Sequence, residues 1–298
     1  MESRPYSKYV VVVFCHARDR LLSACLNSIS SAKSFENWDL VVVQQEGSSS
    51  IQKVLDSFAK NISYLLKFKP VGEKPLENIN FNRIIGTDFA FRILGAEVVL
   101  GIEEDTLISH DALKFIELAH DLHHGDRNYR GINLASFHPY SDTEFNGYAK
   151  LRFGLVGQAG AINRKSWTDI DFPQLLTLRN SEEWASHIEG YLKTGFMVHP
   201  VLSRMLDQGW GGTSDPNSLA TNSYFTRIRH SYVRNARSLT SLRESNPGNL
   251  WREDAIPFKL WQNSYFYFRR FKVAQRIYGL TRILRIPHIR NLIFQKRL

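Results

Sequence analysis

Residues 97–105, which read EVVLGIEED, place an apolar strand directly before three acidic residues. The aliphatic run at 98–102 is typical of a strand that is buried on both faces of a sheet. A strand end presents side chains to a ligand, and a divalent ion that bridges two phosphates needs hard carboxylate oxygens there. Acids after a strand are also common as solvated turn or capping residues, so the spacing alone leaves both interpretations open.

Strand and helix patterns alternate through the first half of the chain. Further strands are predicted at 9–15 (YVVVVFC), 39–44 (DLVVVQ) and 62–68, and helices at 21–29, 51–59 and 81–94. This alternation predicts an α/β fold with a parallel sheet, whose ligands lie at the carboxyl ends of the strands. The sequence lacks a G-x-G-x-x-G after the first strand and a G-x-x-x-x-G-K-[ST], which argues against ordinary dinucleotide-binding and P-loop proteins.

The second half is less regular, and the charge is concentrated at the end of the chain. Helices are predicted to begin at 163 and 181, and the glycine-rich segment 209–218 is predicted to be a mobile loop. Residues 251–298 hold eleven Lys and Arg against two acids, which leaves 27 basic and 27 acidic residues before them. We expect two domains: 1–240, divided into 1–106 and 107–240, and a basic, aromatic-rich helical tail at 241–298.

Composition also bears on the compartment. The two cysteines, Cys15 and Cys25, lie in a strand-then-helix context that favours reduced, buried thiols over a disulfide. Neither a transmembrane helix nor a targeting segment is predicted, so a cytoplasmic location is expected. The apolar and basic residues of 256–298 are typical of helices that lie on an anionic membrane surface, although packing onto the catalytic domain is the alternative.

Several segments, taken in order over residues 10–225, resemble the GT-A glycosyltransferases, and most closely the N-acetylglucosaminyltransferase I family. The GT-A pattern of Arg followed by Leu four and eight residues later is met by Arg18, Leu22 and Leu26. The family's Asp-Arg pair and its Cys-Leu are similar to residues 19–20 and 25–26. The resemblance implies a Rossmann-like, mainly parallel sheet flanked by helices.

The resemblance also implies donor-binding residues. The family ends its second strand in Gln-Asp-x-Gly, with the acid on the uracil ring, and Gln45 stands at the position of that acid. The family's Glu-Asp-Asp corresponds to Glu103, Glu104 and Asp105, which makes Asp105 the ligand of Mn²⁺ or Mg²⁺ and places Glu104 beside the ribose and sugar. A UDP-sugar donor is therefore expected.

Further matches concern catalysis and the rest of the donor site. The family's Trp-Asp-Asp-Trp, whose first Asp is the catalytic base, meets residues 181–184, so Glu182 is the expected base with Glu183 as its substitute. The family's glycine-containing turn meets 154–167, and its Ile-Ser-Arg meets 202–204. Donor contacts are accordingly expected at Gly157 and Arg204. His16 and Arg18, at the end of the first strand, are expected to face the pyrophosphate. A late His such as His199 is a weaker candidate for a metal ligand.

These residues together suggest an inverting, metal-dependent transferase that moves a sugar, with N-acetylglucosamine favoured, to a glycan or lipid-linked acceptor in polysaccharide biosynthesis. A sugar-nucleotidyltransferase is the nearest alternative, although the segment after the first strand has no glycine. An inactive nucleotide-sugar-binding module is a second alternative, since fold resemblance does not establish activity. Nucleic-acid binding is not expected, because residues 1–250 carry equal numbers of basic and acidic side chains and no recognition motif is present.

Overall fold

The computed structural model describes residues 8–45, 49–136, 146–152, 159–179, 183–208 and 239–244, and at 183–186 and 189 the backbone alone. The strands are β1 Tyr9–Cys15, β2 Trp38–Gln45, β3 Tyr64–Phe68, β4 Val98–Glu103, β5 Thr106–Ile108, β6 Tyr129–Asn133, β7 Gly147–Leu151, β8 Ala159–Asn163, β9 Phe196–Pro200, β10 Met205–Asp207 and β11 Arg243–Glu244. The helices are α1 Asp19–Ser30, α2 Ser49–Ser57, α3 Pro75–Arg92, α4 Ala112–His123, α5 Arg164–Asp169, α6 Phe172–Thr177 and α7 Glu183–Leu192.

Within the described residues, the main sheet has the strand order β11-β7-β9-β6-β8-β4-β1-β2-β3. Strands β4, β1, β2 and β3 run parallel, whereas β8 is antiparallel to both β4 and β6. The valines of β1 are fully buried because this strand lies inside the sheet with both faces covered. Strands β5 and β10 form a separate antiparallel pair. The expectation of an α/β fold with a mainly parallel sheet flanked by helices is confirmed.

The direction of the crossovers reverses between β1 and β4, and this reversal positions the site. The chain moves outward from β1 to β2 and β3, and then returns past β1 to β4. Because such crossovers are right-handed, α3 lies on the sheet face opposite to α1 and α2. Carboxyl ends of strands at such a reversal form the crevice where α/β proteins bind ligands.

Helix α3 packs closely on its face of the sheet because Gly86 has no side chain. A Cβ at Gly86 would lie 2.6 Å from Val43 Cγ2 and 3.1 Å from both Phe14 and Val12. Helix α3 begins at Pro75, six residues before the predicted start, since its first half is polar rather than amphipathic. Asn78 nevertheless is buried there, where it accepts hydrogen bonds from the backbone N–H groups of Val71 and Gly72.

The second half completes the sheet, and several sequence expectations fall on it. Helix α5 begins after Asn163, whose side chain accepts a hydrogen bond from Ser166 N–H at 2.8 Å, as expected for a helix start at that position. Strand β11 pairs with β7, so the sheet extends past the predicted boundary at 240. The predicted helical tail, with the residues expected to face a membrane, lies outside the described residues from 245 onward. Along the described part of the chain, no helix combines the length and apolarity that crossing a membrane requires.

Candidate functional site

The predicted donor-binding residues of the first half meet at one edge of the sheet. Phe14 pairs with Glu103, and Cys15 pairs with Gln44, so the ends of β1, β2 and β4 lie level with one another. The edge lies at the crossover reversal between β1 and β4. The residues that follow these strand ends therefore come close together although they are about ninety positions apart in sequence.

Arg18 binds both acids that follow β4. Its Nε lies 2.8 Å from Glu104 Oε1, and its terminal nitrogen lies 2.7 Å from Asp105 Oδ2. The Arg18 side chain is 39% exposed, whereas Glu104 and Asp105 are 6% and 8% exposed. Burial lowers the pKa of Arg18, but the hydrogen bond with Glu104 and the charges of Asp105 and Glu104 outweigh it and raise the pKa above its usual value. The guanidinium thus forms a charged cover over two buried carboxylates.

The two carboxylates differ in how completely they are hydrogen-bonded. Glu104 accepts from Arg18 through one oxygen and from the backbone N–H of His16 through the other, at 2.7 Å. Asp105 Oδ1, in contrast, is buried and has no hydrogen-bond partner. A buried carboxylate oxygen without a partner is unusual, because leaving it unpaired costs free energy. Asp105 therefore offers an oxygen that a ligand can use.

Glu103 points to the other face of the sheet and pairs with a residue that the sequence analysis did not single out. Alternation along β4 places it on the α3 side, where it forms an ion pair with Arg83. Burial lowers the pKa of Arg83 to about 10, against the opposing charge of Asp105, and this value leaves the guanidinium protonated at neutral pH. The spacing of Arg83 and Gly86 is a usable signal in the sequence, because the two residues lie one helical turn apart. The close contact of Gly86 with the sheet sets the distance between α3 and the sheet.

Gln45 ends β2 and is buried, with Phe68 of β3 as its neighbour in the sheet. Alternation places it on the same face as Glu103, while Gln44 lies on the opposite face with Cys15 and Glu104. Residues 46 and 47, which complete the predicted match to Gln-Asp-x-Gly, lie outside the described residues. The structure thus places Gln45 at the predicted edge, and its contact with a uracil ring stays a prediction.

Arg204 lies in a buried ion pair. Its Nε and one terminal nitrogen lie 3.2 Å from Asp111 Oδ2, and its guanidinium lies 4.3 Å from the centre of the Phe115 ring. Its other terminal nitrogen donates to the Leu202 carbonyl at 3.1 Å. Burial lowers the pKa of Arg204, opposed by the charge of Asp111 and its hydrogen bond. These contacts are structural, and the donor contact of Arg204 stays a prediction.

The remaining candidates are only partly described. Glu182, Gly157 and the loop 209–218 lie outside the described residues, and Glu183 is the first residue of α7, with its backbone alone described. His199 is fully buried in β9 and lies 3.1 Å from the Asn133 side chain, and burial lowers its pKa to about 3. Its neutral ring therefore has a structural hydrogen bond.

Nucleophilic catalysis by cysteine is disfavoured at this edge. Cys15 and Cys25 are free and buried, as expected from the sequence. Burial raises the pKa of both thiols, with the charge of Glu104 acting in the same direction. Both therefore remain thiols rather than reactive thiolates at neutral pH.

A divalent ion fits this edge through one carboxylate rather than a complete protein cage. Among the residues that the structure describes, no group of three or more His, Cys, Asp or Glu side chains is arranged to hold a metal ion. Asp105 combines a position at the strand edge with an unpartnered, negatively charged oxygen. Mg²⁺ sites that use one or two carboxylates and complete their coordination with substrate phosphates and water require no more from the protein.

Comparisons with known proteins bear on the fold. No protein-family model matches the chain, and no curated protein does. S. aureus TarS 1-349 in complex with UDP-GlcNAc matches at 14% identity and a TM-score of 0.50, over 90% of this chain and 77% of that one. S. aureus TarS matches at 17% identity and a TM-score of 0.47, over 66% of this chain and 35% of that one. In complex with UDP, TarS 1-349 matches at 16% identity and a TM-score of 0.46, over 66% of this chain and 59% of that one.

These matches support the fold and cover only part of the TarS chains. This chain spans only 35% to 60% of the length of the first three TarS chains that it matches. TarS has the GT-A fold of glycosyltransferases, and at these identities the similarity concerns the fold. It does not extend to the N-acetylglucosaminyltransferase I family in particular. The mainly parallel sheet and the reversal between β1 and β4 agree with it, and the chain has the GT-A fold.

Proposed function

We propose that this chain is an inverting, metal-dependent glycosyltransferase that moves a sugar from a UDP-sugar to a hydroxyl group of a glycan or lipid-linked acceptor. The observation that carries the proposal is Asp105, a buried carboxylate at the sheet edge with one oxygen on Arg18 and the other without a partner. TarS 1-349 is solved in complex with UDP-GlcNAc, which supports a UDP-sugar donor with N-acetylglucosamine as the first sugar to test.

Asp105 would hold the divalent ion through its unpartnered oxygen. Mn²⁺ or Mg²⁺ bound there would neutralise the charge that develops on the leaving diphosphate. Arg18 lies beside the same carboxylate, and a guanidinium suits phosphate oxygens because it donates two parallel hydrogen bonds. Glu104 accepts from Arg18 and from the His16 backbone N–H, and the second of these bonds holds the chain after β1 in position.

The acceptor would be activated by a carboxylate from the second half. Glu182, with Glu183 at the start of α7 as its substitute, is proposed to remove the proton from the acceptor hydroxyl. Attack from the side opposite the diphosphate then inverts the anomeric centre in one step. Gln45, a buried amide at the end of β2, is proposed to pair with the imide face of uracil.

The central experiment follows the fate of the donor. Purified protein is incubated with UDP-GlcNAc and other nucleotide sugars, with and without Mn²⁺, and free UDP and pyrophosphate are measured separately. UDP released only with metal, and lost in Glu182→Gln, supports the transferase. Pyrophosphate instead of UDP would indicate a nucleotidyltransferase, and release of neither product would indicate a binding module.

Donor specificity has its own readout. A thermal-shift screen with Mn²⁺ compares UDP-, GDP- and CMP-sugars, since a ligand of the native state raises the melting temperature. Stabilisation by UDP-sugars alone is expected. Stabilisation by GDP- or CMP-sugars without any by UDP-sugars would contradict the role of Gln45.

The basic tail is proposed to bring the enzyme to an anionic membrane surface, where lipid-linked acceptors lie. This proposal rests on the charge of residues 251–298, with eleven Lys and Arg against two acids. Each basic residue near anionic lipid contributes about 1 kcal/mol. Co-sedimentation with anionic but not neutral vesicles, lost on truncation at Ile256, is the expected result. Equal partitioning of the full-length and truncated proteins would contradict it.

A further inference from the structure

The carboxylate that the proposed function assigns to a metal ion already has a cation beside it. Arg18 lies 2.7 Å from Asp105 Oδ2 and contributes a full positive charge directly at the carboxylate. A divalent ion on Oδ1 would lie within a few ångströms of this guanidinium. Two cations at one carboxylate repel each other, and most strongly where the carboxylate is buried away from water. Arg18 and a free metal ion therefore compete for Asp105.

The geometry allows Arg18 to leave while the acids stay in place. Its side chain is 39% exposed and lies on the solvent side of Glu104 and Asp105, which are nearly buried. Glu104 keeps its hydrogen bond to the His16 backbone N–H when Arg18 moves, so one oxygen remains satisfied. Arg18 is the residue just before α1, and its long side chain can turn without disturbing the strand.

A diphosphate resolves the competition because it supplies negative charge to both cations. Its oxygens complete the coordination of the metal ion and accept hydrogen bonds from a guanidinium. A nucleoside diphosphate thus removes the repulsion that a metal ion alone would meet.

We propose that Arg18 is a built-in competitor of the divalent ion: it occupies Asp105 in the free protein and moves to the diphosphate when metal and nucleotide bind together. This inference rests on the proposed function and deepens it. It makes the binding of metal and of nucleotide mutually dependent, since each strengthens the other by the same factor. In the free protein Arg18 then occupies Asp105 and weakens metal binding until the donor binds.

The test measures Mn²⁺ binding through the electron paramagnetic resonance signal of the free ion, corrected for the Mn²⁺ that UDP binds in a protein-free titration. The wild type, Arg18→Gln and Arg18→Lys are titrated with Mn²⁺, first alone and then with saturating UDP. The matched control is Arg20→Gln, which removes the same charge from an exposed residue two positions away. Circular dichroism checks that each variant is folded.

Competition predicts a specific pattern. Arg18→Gln should bind Mn²⁺ alone about tenfold more tightly than the wild type, as expected from the loss of one charge-assisted contact. UDP should then enhance Mn²⁺ binding by a factor about tenfold smaller than in the wild type. Arg18→Lys should be intermediate, because it keeps the charge but loses the two-pronged contact, and Arg20→Gln should stay within about twofold of the wild type.

Other results separate the two levels of the argument. If Arg18→Gln binds Mn²⁺ alone no more tightly than the wild type, or more weakly, Arg18 supports the metal site instead of competing for it and the inference is overturned. The proposed function survives that result as long as UDP enhances Mn²⁺ binding to the wild type. If the wild type binds no Mn²⁺ even with saturating UDP, both the inference and the metal-dependent function are overturned.

Discussion

Two arginine–aspartate pairs flank the short strand β5, and they differ in whether both oxygens of the aspartate have hydrogen-bond partners. Arg18 and Asp105 lie at the sheet edge before it, and the arginine is 39% exposed. Arg204 and Asp111 lie after it, with side chains only 3% and 1% exposed. In the buried pair Asp111 accepts from Ser109 through one oxygen and from Arg204 through the other, whereas the edge pair leaves Asp105 Oδ1 without a partner.

This difference separates a structural pair from a candidate functional one. A buried ion pair is tolerated only when nearly all its hydrogen-bonding capacity is used within the protein. An unpartnered oxygen beside a partly exposed arginine instead leaves room for a ligand. Both arginines match the resembling family's motifs, and only their surroundings distinguish them.

The largest expected effect is on the buried pair. Arg204→Gln should lower the free energy of unfolding by about 3–5 kcal/mol, because it leaves the Asp111 carboxylate buried without its cation. Urea denaturation followed by circular dichroism measures this change. Arg18→Gln is the matched comparison and should cost less than Arg204→Gln, because the Arg18 side chain is 39% exposed and water can take its place at the two carboxylates.

Two outcomes would change the interpretation of these pairs. Equal losses of stability in Arg204→Gln and Arg18→Gln would show that the edge pair is also structural. The double variant Asp111→Asn, Arg204→Met should lose less stability than the sum of its single changes, because it removes the charge together with its partner. Additivity would mean that the two side chains do not interact.

Asp105→Asn is expected to act on activity rather than on stability. Loss of the carboxylate should reduce UDP-sugar turnover at least about a hundredfold. Even residues that only hydrogen-bond to a metal ligand contribute about ten- to a hundredfold to metal affinity or activity. The control Asp56→Asn changes an exposed aspartate of α2. Full turnover by Asp105→Asn with Mn²⁺ present would remove Asp105 from the metal site.

The sequence was sufficient to predict the edge but not the partners within it. Apolar runs located β1, β2 and β4, because strands buried on both faces are continuous in sequence, and the acids after β4 followed directly. Arg83 lies inside the helix predicted at 81–94, but α3 has no amphipathic pattern that would show which of its faces covers the sheet edge. Because side chains alternate along β4, Glu103 pairs with Arg83 on one side of the sheet, whereas Glu104 and Asp105 pair with Arg18.

The role of Arg204 could not be predicted from local sequence. Its partner Asp111 lies 93 positions earlier, and the two meet only because β10 pairs with β5. Strand β5 has three residues and carries too short a pattern to be recognised. Long-range pairing of short strands thus leaves no local pattern in the sequence, and the same holds for the late strands β7 and β11.

Ser109→Ala should make the buried pair resemble the edge pair. It removes the hydroxyl that donates to Asp111 Oδ1 at 2.7 Å and leaves that oxygen without this donor in the core. The expected cost is about 2 kcal/mol, the range for a hydrogen bond to a charged group. Ser57→Ala, at the exposed end of α2, should change stability by less than about 0.5 kcal/mol. A cost as small for Ser109→Ala would show that Asp111 has another donor.

The smallest expected effect is on the pH dependence of stability, and it concerns a buried side chain that stays uncharged. Burial lowers the pKa of His199 from 6.5 to about 3, so the folded protein keeps the ring neutral where the unfolded chain takes up a proton. The unfolded state therefore binds more protons between these two pKa values, and stability falls as the pH is lowered through that window. The expected slope from this one group is about 1.4 kcal/mol per pH unit.

Replacing the ring isolates its contribution to the pH dependence. His199→Gln and His199→Asn both lack a titrating group, and each amide offers an oxygen to the Asn133 side chain that now lies 3.1 Å from the ring. Both variants should show a slope of unfolding free energy against pH that is smaller than in the wild type by about 1.4 kcal/mol per unit between pH 4.5 and 6. Agreement between the two separates titration from packing, because they differ in size. If both keep the wild-type slope, His199 is protonated in the folded protein and its burial does not exclude charge.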